Sequence, residues 1–220
     1  MGRLLPSSTP PSPLTAPGAR TQPFARSVPH DIDRWRLPKL AGRLVEISGT
    51  GDAAGLTAAC GLVLEAQHRA EPVAWVTLPS CTFFPPDAAE SGVDLESLIV
   101  VRVPNPQAAG RAADRLLRSD AFGLLIVDLG THPGTDAAIP PPLLSRLSGL
   151  ATRHRSAVVI VTEKPETAPS LGSLISVRVE AHRERGAGSR FHCRLAVLKD
   201  KYAGPVWSHA EDCRGPAGLR

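Results

Sequence analysis

From Leu44 onward, short and largely apolar runs alternate with stretches whose apolar positions recur at helical spacing. The apolar runs fall at Leu44–Ile47, Val73–Leu78, Leu98–Val103, Gly123–Val127 and Ala157–Thr162. Between the first two, Leu56, Cys60, Val63, Leu64 and Gln67 sit near a helical period, which predicts a helix over 56–70. Ala109, Ala112, Ala113, Leu116 and Leu117 do the same within Gln107–Ser119, and a third helix is expected over Leu143–His154. A strand covered on both faces has no polar side to alternate, so this succession predicts a parallel sheet with helices on each face. After about residue 173 the period becomes two. Leu174–His182 and Arg190–Leu198 alternate apolar with polar around Arg185-Gly-Ala-Gly188, which predicts an antiparallel hairpin at the sheet edge.

Composition frames that core. Residues 1–29 hold seven of the 22 prolines and no acidic residue, so they are expected to be a disordered tail. Residues 30–42 read as a lead-in that packs Trp35 and Leu37 on the domain. The expected organisation is a proline-rich tail (1–29), one domain (30–207) and a flexible C-terminal tail (208–220). The net charge of +4 lies wholly in residues 178–220, where nine Arg/Lys face five Asp/Glu. A basic segment suits nucleic acid or an acidic partner, and it suits a solvated surface without a partner at least as well. No apolar run approaches the length of a membrane span, and the first residues lack the apolar stretch of a signal peptide. Cys60, Cys81, Cys193 and Cys213 show no C-x-x-C spacing, so neither a zinc site nor a disulfide framework is expected, and the plain reading is reduced thiols in the cytoplasm.

Chemistry concentrates after the first strand. A phosphate-binding loop reads G-x-x-x-x-G-K-[ST], with backbone amides and a lysine on the phosphates and a hydroxyl on Mg²⁺. The run Gly49-Thr-Gly-Asp-Ala-Ala-Gly-Leu-Thr57 is in register with that pattern at Gly55 and Thr57, while Leu56 stands at the lysine position and Thr50 at the first glycine. Asp128 closes the apolar strand Gly123–Val127, where α/β sheets bind ligands and where a carboxylate would order a Mg²⁺ shell. Gly51, Gly55, Thr57 and Asp128 are therefore expected to form a vestigial nucleotide site. Neither ATP nor Mg²⁺ is expected as a working cofactor. No catalytic residue is assigned.

Further stretches resemble bacterial RecA recombinases. They are Val73-Ala-Trp-Val, the run from Phe84 to Leu98, Ala113-Asp-Arg-Leu-Leu-Arg-Ser before the Asp128 strand, and the hairpin Ser176–Arg183 with Cys193–Pro205. The resemblance covers roughly residues 40–207 and implies a RecA-like core. It also exposes departures. The glutamate that activates water in that family would fall at Pro79 or Ser80, and the γ-phosphate-sensing glutamine at Glu163. Residues 131–142 and 164–173, in the places of two DNA-binding loops, are short and proline-rich. The pattern is similar to degenerate RecA homologues of the ImuA (SulA-like) type. That likeness implies a non-catalytic accessory protein in damage-induced translesion synthesis, with an error-prone polymerase-like subunit and RecA as partners and little DNA affinity. A DNA-stimulated ATPase and a cell-division inhibitor are the alternatives. Arg178, Arg183, Arg194 and Trp207 are the expected interaction residues.

Overall fold

The computed structural model describes residues 34–51, 54–81, 83–130, 139–185, 190–204 and 207–214. The proline-rich tail, most of the 131–142 loop and the hairpin turn at 186–189 lie outside the described residues.

One sheet of eight strands organises the chain. The strands are β1 (Leu44–Gly49), β2 (Val73–Thr77), β3 (Leu98–Arg102), β4 (Leu124–Asp128), β5 (Ala157–Glu163), β6 (Val177–Arg185), β7 (Arg190–Asp200) and β8 (Ser208–Arg214). Their spatial order is β3-β2-β4-β5-β1-β6-β7-β8. Pairing is parallel from β3 through to β6 and antiparallel from β6 to β8. β1, β2 and β4 are buried along their whole length, which is why they read as apolar runs rather than alternating ones.

Two cores form, one on each face. Side chains at alternate positions (Val45, Ile47, Trp75, Ile126, Val159) join Leu62 and Val63 of α2 (Gly55–His68). The intervening set (Leu44, Ala74, Val76, Leu125, Val158, Ile160) packs against Ala113 and Leu117 of α4 (Pro106–Arg118) and Leu144 and Leu147 of α5 (Pro141–His154). Trp35 and Leu37 are buried in the α2-side core, Leu37 opening the short α1 (Leu37–Leu40), as the lead-in was expected to do. Within the run that resembles RecA, Pro85–Glu90 forms another short helix, α3. No helix among the described residues is long and apolar enough to cross a membrane.

The sheet departs from expectation at its C-terminal edge. Residues 208–214 were expected in a flexible tail, yet they form β8 and pair with β7 from Arg190↔Arg214 to Ala196↔Ser208. The alternation rule misses this strand because its polar positions include the buried His209, opposite Leu195, and the exposed Glu211, opposite Cys193. His209 is buried, and its Nε2 lies 3.0 Å from Oε1 of Glu211, whose carboxylate is exposed at the rim of the layer.

Candidate functional site

β1 ends at Gly49 and α2 begins at Gly55, so the loop sequence lies at a strand-to-helix junction on the C-terminal edge of the parallel sheet. Gly51 is exposed with φ +60, a conformation that side-chain-bearing residues rarely adopt. Asp52 and Ala53 lie outside the described residues. No side chain caps α2 at Ala54. An uncapped helix start of this kind turns its first amides toward an incoming anion.

Leu56 does not project as a lysine would. It is half-buried and packs against the α2-side core, as do Cys60, Leu64 and Phe83. Thr57, the hydroxyl of the motif, is half-buried one residue later. Asp128 is buried at the end of β4, in register with Thr77 of β2 and Val161 of β5. Its position follows Leu124 and Ile126, so it faces the α2 side. Thr77 Oγ1 donates to Asp128 Oδ2 at 3.4 Å, and the Gly130 N–H donates to Oδ1 at 3.1 Å. Gly130 has φ +54, and a β-carbon there would lie 2.7 Å from Cys81 Sγ, so glycine alone fits this turn.

Burial pushes the Asp128 carboxyl above its ordinary value, although Cys81, the Gly130 amide and Thr77 oppose the shift. Burial also pushes the Cys60 thiol up to about 11, with Asp87 and then Asp128 adding to it. Cys81 is likewise raised to about 11, by burial and then by Asp128. Cys60 lies on α2, so the first turns of that helix and the β4 carboxylate share one electrostatic environment. The predicted site residues on loop, helix and β4 are thus gathered on one side of the sheet.

The positions of the other catalytic groups are occupied by unsuitable side chains. Pro79 and Ser80 are exposed in the turn after β2, and neither is a base. Glu163 ends β5 opposite Gly49, with its N–H donating to Gly130 O at 3.2 Å. It falls on the α2 side by alternation, where a carboxylate repels a phosphate. Lys164 is the natural candidate for a replacement lysine, because its N–H donates to Gly49 O at 2.9 Å. Its ammonium, however, sits 2.5 Å from Glu46 Oε1 and donates to Pro169 O at 2.6 Å. Glu46 occupies the opposite face of β1 from α2. The lysine is turned away from the loop.

That arrangement belongs to a buried polar network that the sequence reading missed. Glu46 is fully buried and also accepts from Thr162 Oγ1 (3.3 Å), Ser170 Oγ (3.0 Å) and Leu171 N (3.0 Å). Beside it, Arg178 Nε donates to Ser48 Oγ at 3.2 Å, and its two amino groups donate to Pro165 O and Ala168 O. Both charged side chains hold the 164–173 segment against the sheet. A lone glutamate inside an otherwise apolar strand was the available signal.

The expected interaction residues divide in two. Arg178 and Trp207 are withdrawn from the surface: both are buried, because the 164–173 segment covers the first and the α2-side core takes in the second. Trp207 Nε1 donates to Asp200 Oδ2 at 3.1 Å. Arg183 is exposed, with its guanidinium 4.4 Å from the centre of the Phe191 ring, and Arg194 is half-buried on β7. Among the described residues, no group of three or more His, Cys, Asp or Glu side chains is placed to hold a metal ion.

No protein-family model matches the chain. It is 29% identical over 216 residues to the RecA protein of Brucella suis, covering 83% of this chain and 59% of that protein. It is 28% identical over 204 residues to the RecA protein of Rhodospirillum rubrum, covering 77% of this chain and 54% of the relative. For the RecA protein of Chloroflexus aurantiacus the identity is 27% over 199 residues, covering 74% and 56%. The chain spans little more than half the length of these curated relatives. These likenesses, with a mostly parallel eight-stranded sheet that ends in antiparallel strands, make the chain RecA-like in sequence and in fold.

Proposed function

We propose that this chain is a RecA-like accessory protein without nucleotide turnover. It works through protein contacts in damage-induced translesion synthesis, bridging an error-prone polymerase-like subunit to RecA or to DNA. The observation that carries the first half is Leu56. At the lysine position stands a half-buried leucine packed into the core, while the nearest replacement cation, Lys164, is bonded to Glu46 on the other face. Removing one pre-aligned electrostatic contact typically costs ~10²–10³ in rate. Here the lysine, the base and the phosphate sensor are all replaced. The accessory role follows the likeness to ImuA-type proteins. The tethered 164–173 segment supports it, since a loop fixed by Glu46 and Arg178 is not free to wrap a DNA strand.

The test joins two measurements. Single-stranded-DNA-stimulated ATP hydrolysis should be undetectable, and Leu56→Lys should not restore it. Pull-downs with a polymerase-like subunit and with RecA should retain the chain. Turnover near ~1 s⁻¹, within the ordinary enzyme range, would overturn the non-catalytic reading and favour the second one. That second reading, a slow ATPase, is favoured by the retained Thr57 and by Asp128 on the same face as α2.

A further inference from the structure

The four cysteines divide into two pairs of different character. Cys60 and Cys81 flank Asp128. Cys193 and Cys213 lie far from each other in sequence, yet on neighbouring strands of the C-terminal edge. The register pairs Phe191 with Cys213 and Cys193 with Glu211, so the two sulfurs occupy diagonal positions on one face of the ladder. Both pack in the α2-side core, Cys193 buried and Cys213 half-exposed. Cys193 Sγ also lies 3.8 Å from the carbonyl oxygen of Ala54, the residue that leads into α2. Cys193, the buried member of the pair, therefore lies against the residue that opens α2.

We propose that Cys193 and Cys213 are a redox-modification site, a dithiol that hydrogen peroxide converts into a cross-strand disulfide. Cys213 thiolate attacks the peroxide: the O–O bond breaks, an S–O bond forms and hydroxide leaves, giving a sulfenic acid. Cys193 then attacks that sulfur. The S–S bond forms, the S–O bond breaks, and the departing hydroxide carries off the Cys193 proton as water. Two thiols are oxidised and one peroxide is reduced to two waters, the second hydroxide taking up the proton that Cys213 released on ionising.

The roles follow from the surroundings. A hydrogen bond from Cys193 holds the Cys213 thiol below its ordinary value, against burial and the nearby Glu211 and Asp212. The same interaction and burial push Cys193 up, which suits the buried partner that attacks second. Diagonal neighbours on a sheet lie ~7–8 Å apart at Cα, whereas disulfides accept up to ~6.8 Å. Closing the bond requires a shift of ~1 Å, and β8 can yield because it is paired on one side only.

The experiment treats the full chain with hydrogen peroxide, alkylates remaining thiols under denaturing conditions, and maps the unreduced digest by mass spectrometry. Two of the four thiols should be lost, with one Cys193–Cys213 link inside a single chain that dithiothreitol reverses. Cys213→Ser, a conservative change at a half-exposed site, should leave Cys193 unoxidised. Hydrogen exchange of the β8 amides should slow roughly tenfold on oxidation, because opening of the edge is then restrained. A link to Cys60 or Cys81, a link between chains, Cys213 stopping as sulfinic acid in the wild type, or unchanged exchange in β8 would each overturn the proposal.

Discussion

Replacing Trp207 by alanine tests whether this side chain belongs to the core or to a partner surface. The indole is 3% exposed, sits among the α2-side core residues and donates to Asp200. A buried tryptophan removes on the order of 200 Å² from water, worth about 5 kcal/mol at 25 cal/mol per Å². That agrees with the ~3–5 kcal/mol measured for such truncations. For a chain of this size each 1 kcal/mol shifts the melting temperature by about 2–4 °C, so Trp207→Ala should lower it by roughly 6–20 °C. Trp207→Phe keeps most of the volume but loses the hydrogen bond to a carboxylate, a loss of about 1.5–3 kcal/mol. It should therefore fall between alanine and wild type. The assay is urea unfolding followed by fluorescence and circular dichroism. If Trp207→Ala stayed within about 1 kcal/mol of wild type while partner binding vanished, the packing argument would be wrong. Trp207 would then be an interface anchor.

Lys164→Met leaves Glu46 buried with neutral donors only, so unfolding should cost about 3–5 kcal/mol less, and Glu46→Gln in the same chain should recover part of it; equal stability of single and double variants would refute the coupling. Burial would raise the Asp200 carboxyl, but the Tyr202 amide and Arg43 outweigh it and hold it below the usual carboxylate range. A depressed folded value means stability that is present above about pH 4 and is lost as the pH falls through the folded value. Asp200→Asn should therefore be less stable at neutral pH, with the gap closing in acid; parallel urea curves across that range would contradict it. Cys60 and Cys81, each raised to about 11, should react with iodoacetamide about a hundredfold more slowly at neutral pH than a free thiol with a value of 9.0, and the rates should climb through pH 10–11. Charge reversal at Arg183 and Arg194 together should leave the melting temperature within ~2 °C and weaken partner capture; unchanged capture would move the interface off this edge.

The sequence by itself determined the layers and where the loop motif falls on them. Runs such as Gly123–Val127 and Ala157–Thr162, too short for helices and placed between helical segments, read as strands buried on both faces, and the shift to period two after residue 173 marked where one face turns polar. Gly55, Thr57 and Asp128 were legible because phosphate chemistry ties residue type to spacing, and Leu56 was legible as a departure for the same reason. Tertiary structure decided what spacing does not encode. Arg178 alternates outward from β6 and so read as surface, but the 164–173 segment folds over that face and makes the arginine a tether. β8 escaped notice because the strand buries a histidine, His209, beside an exposed Glu211, which a hydrophobicity pattern registers only as polarity. Trp207 was expected at an interface, but it is buried in the α2-side core with its Nε1 within hydrogen-bonding distance of the Asp200 carboxylate. Strand order lies in the same class, since which apolar strand neighbours which depends on how α2, α4 and α5 divide the two faces. That division is a property of packing between distant segments, and local sequence carries no record of it.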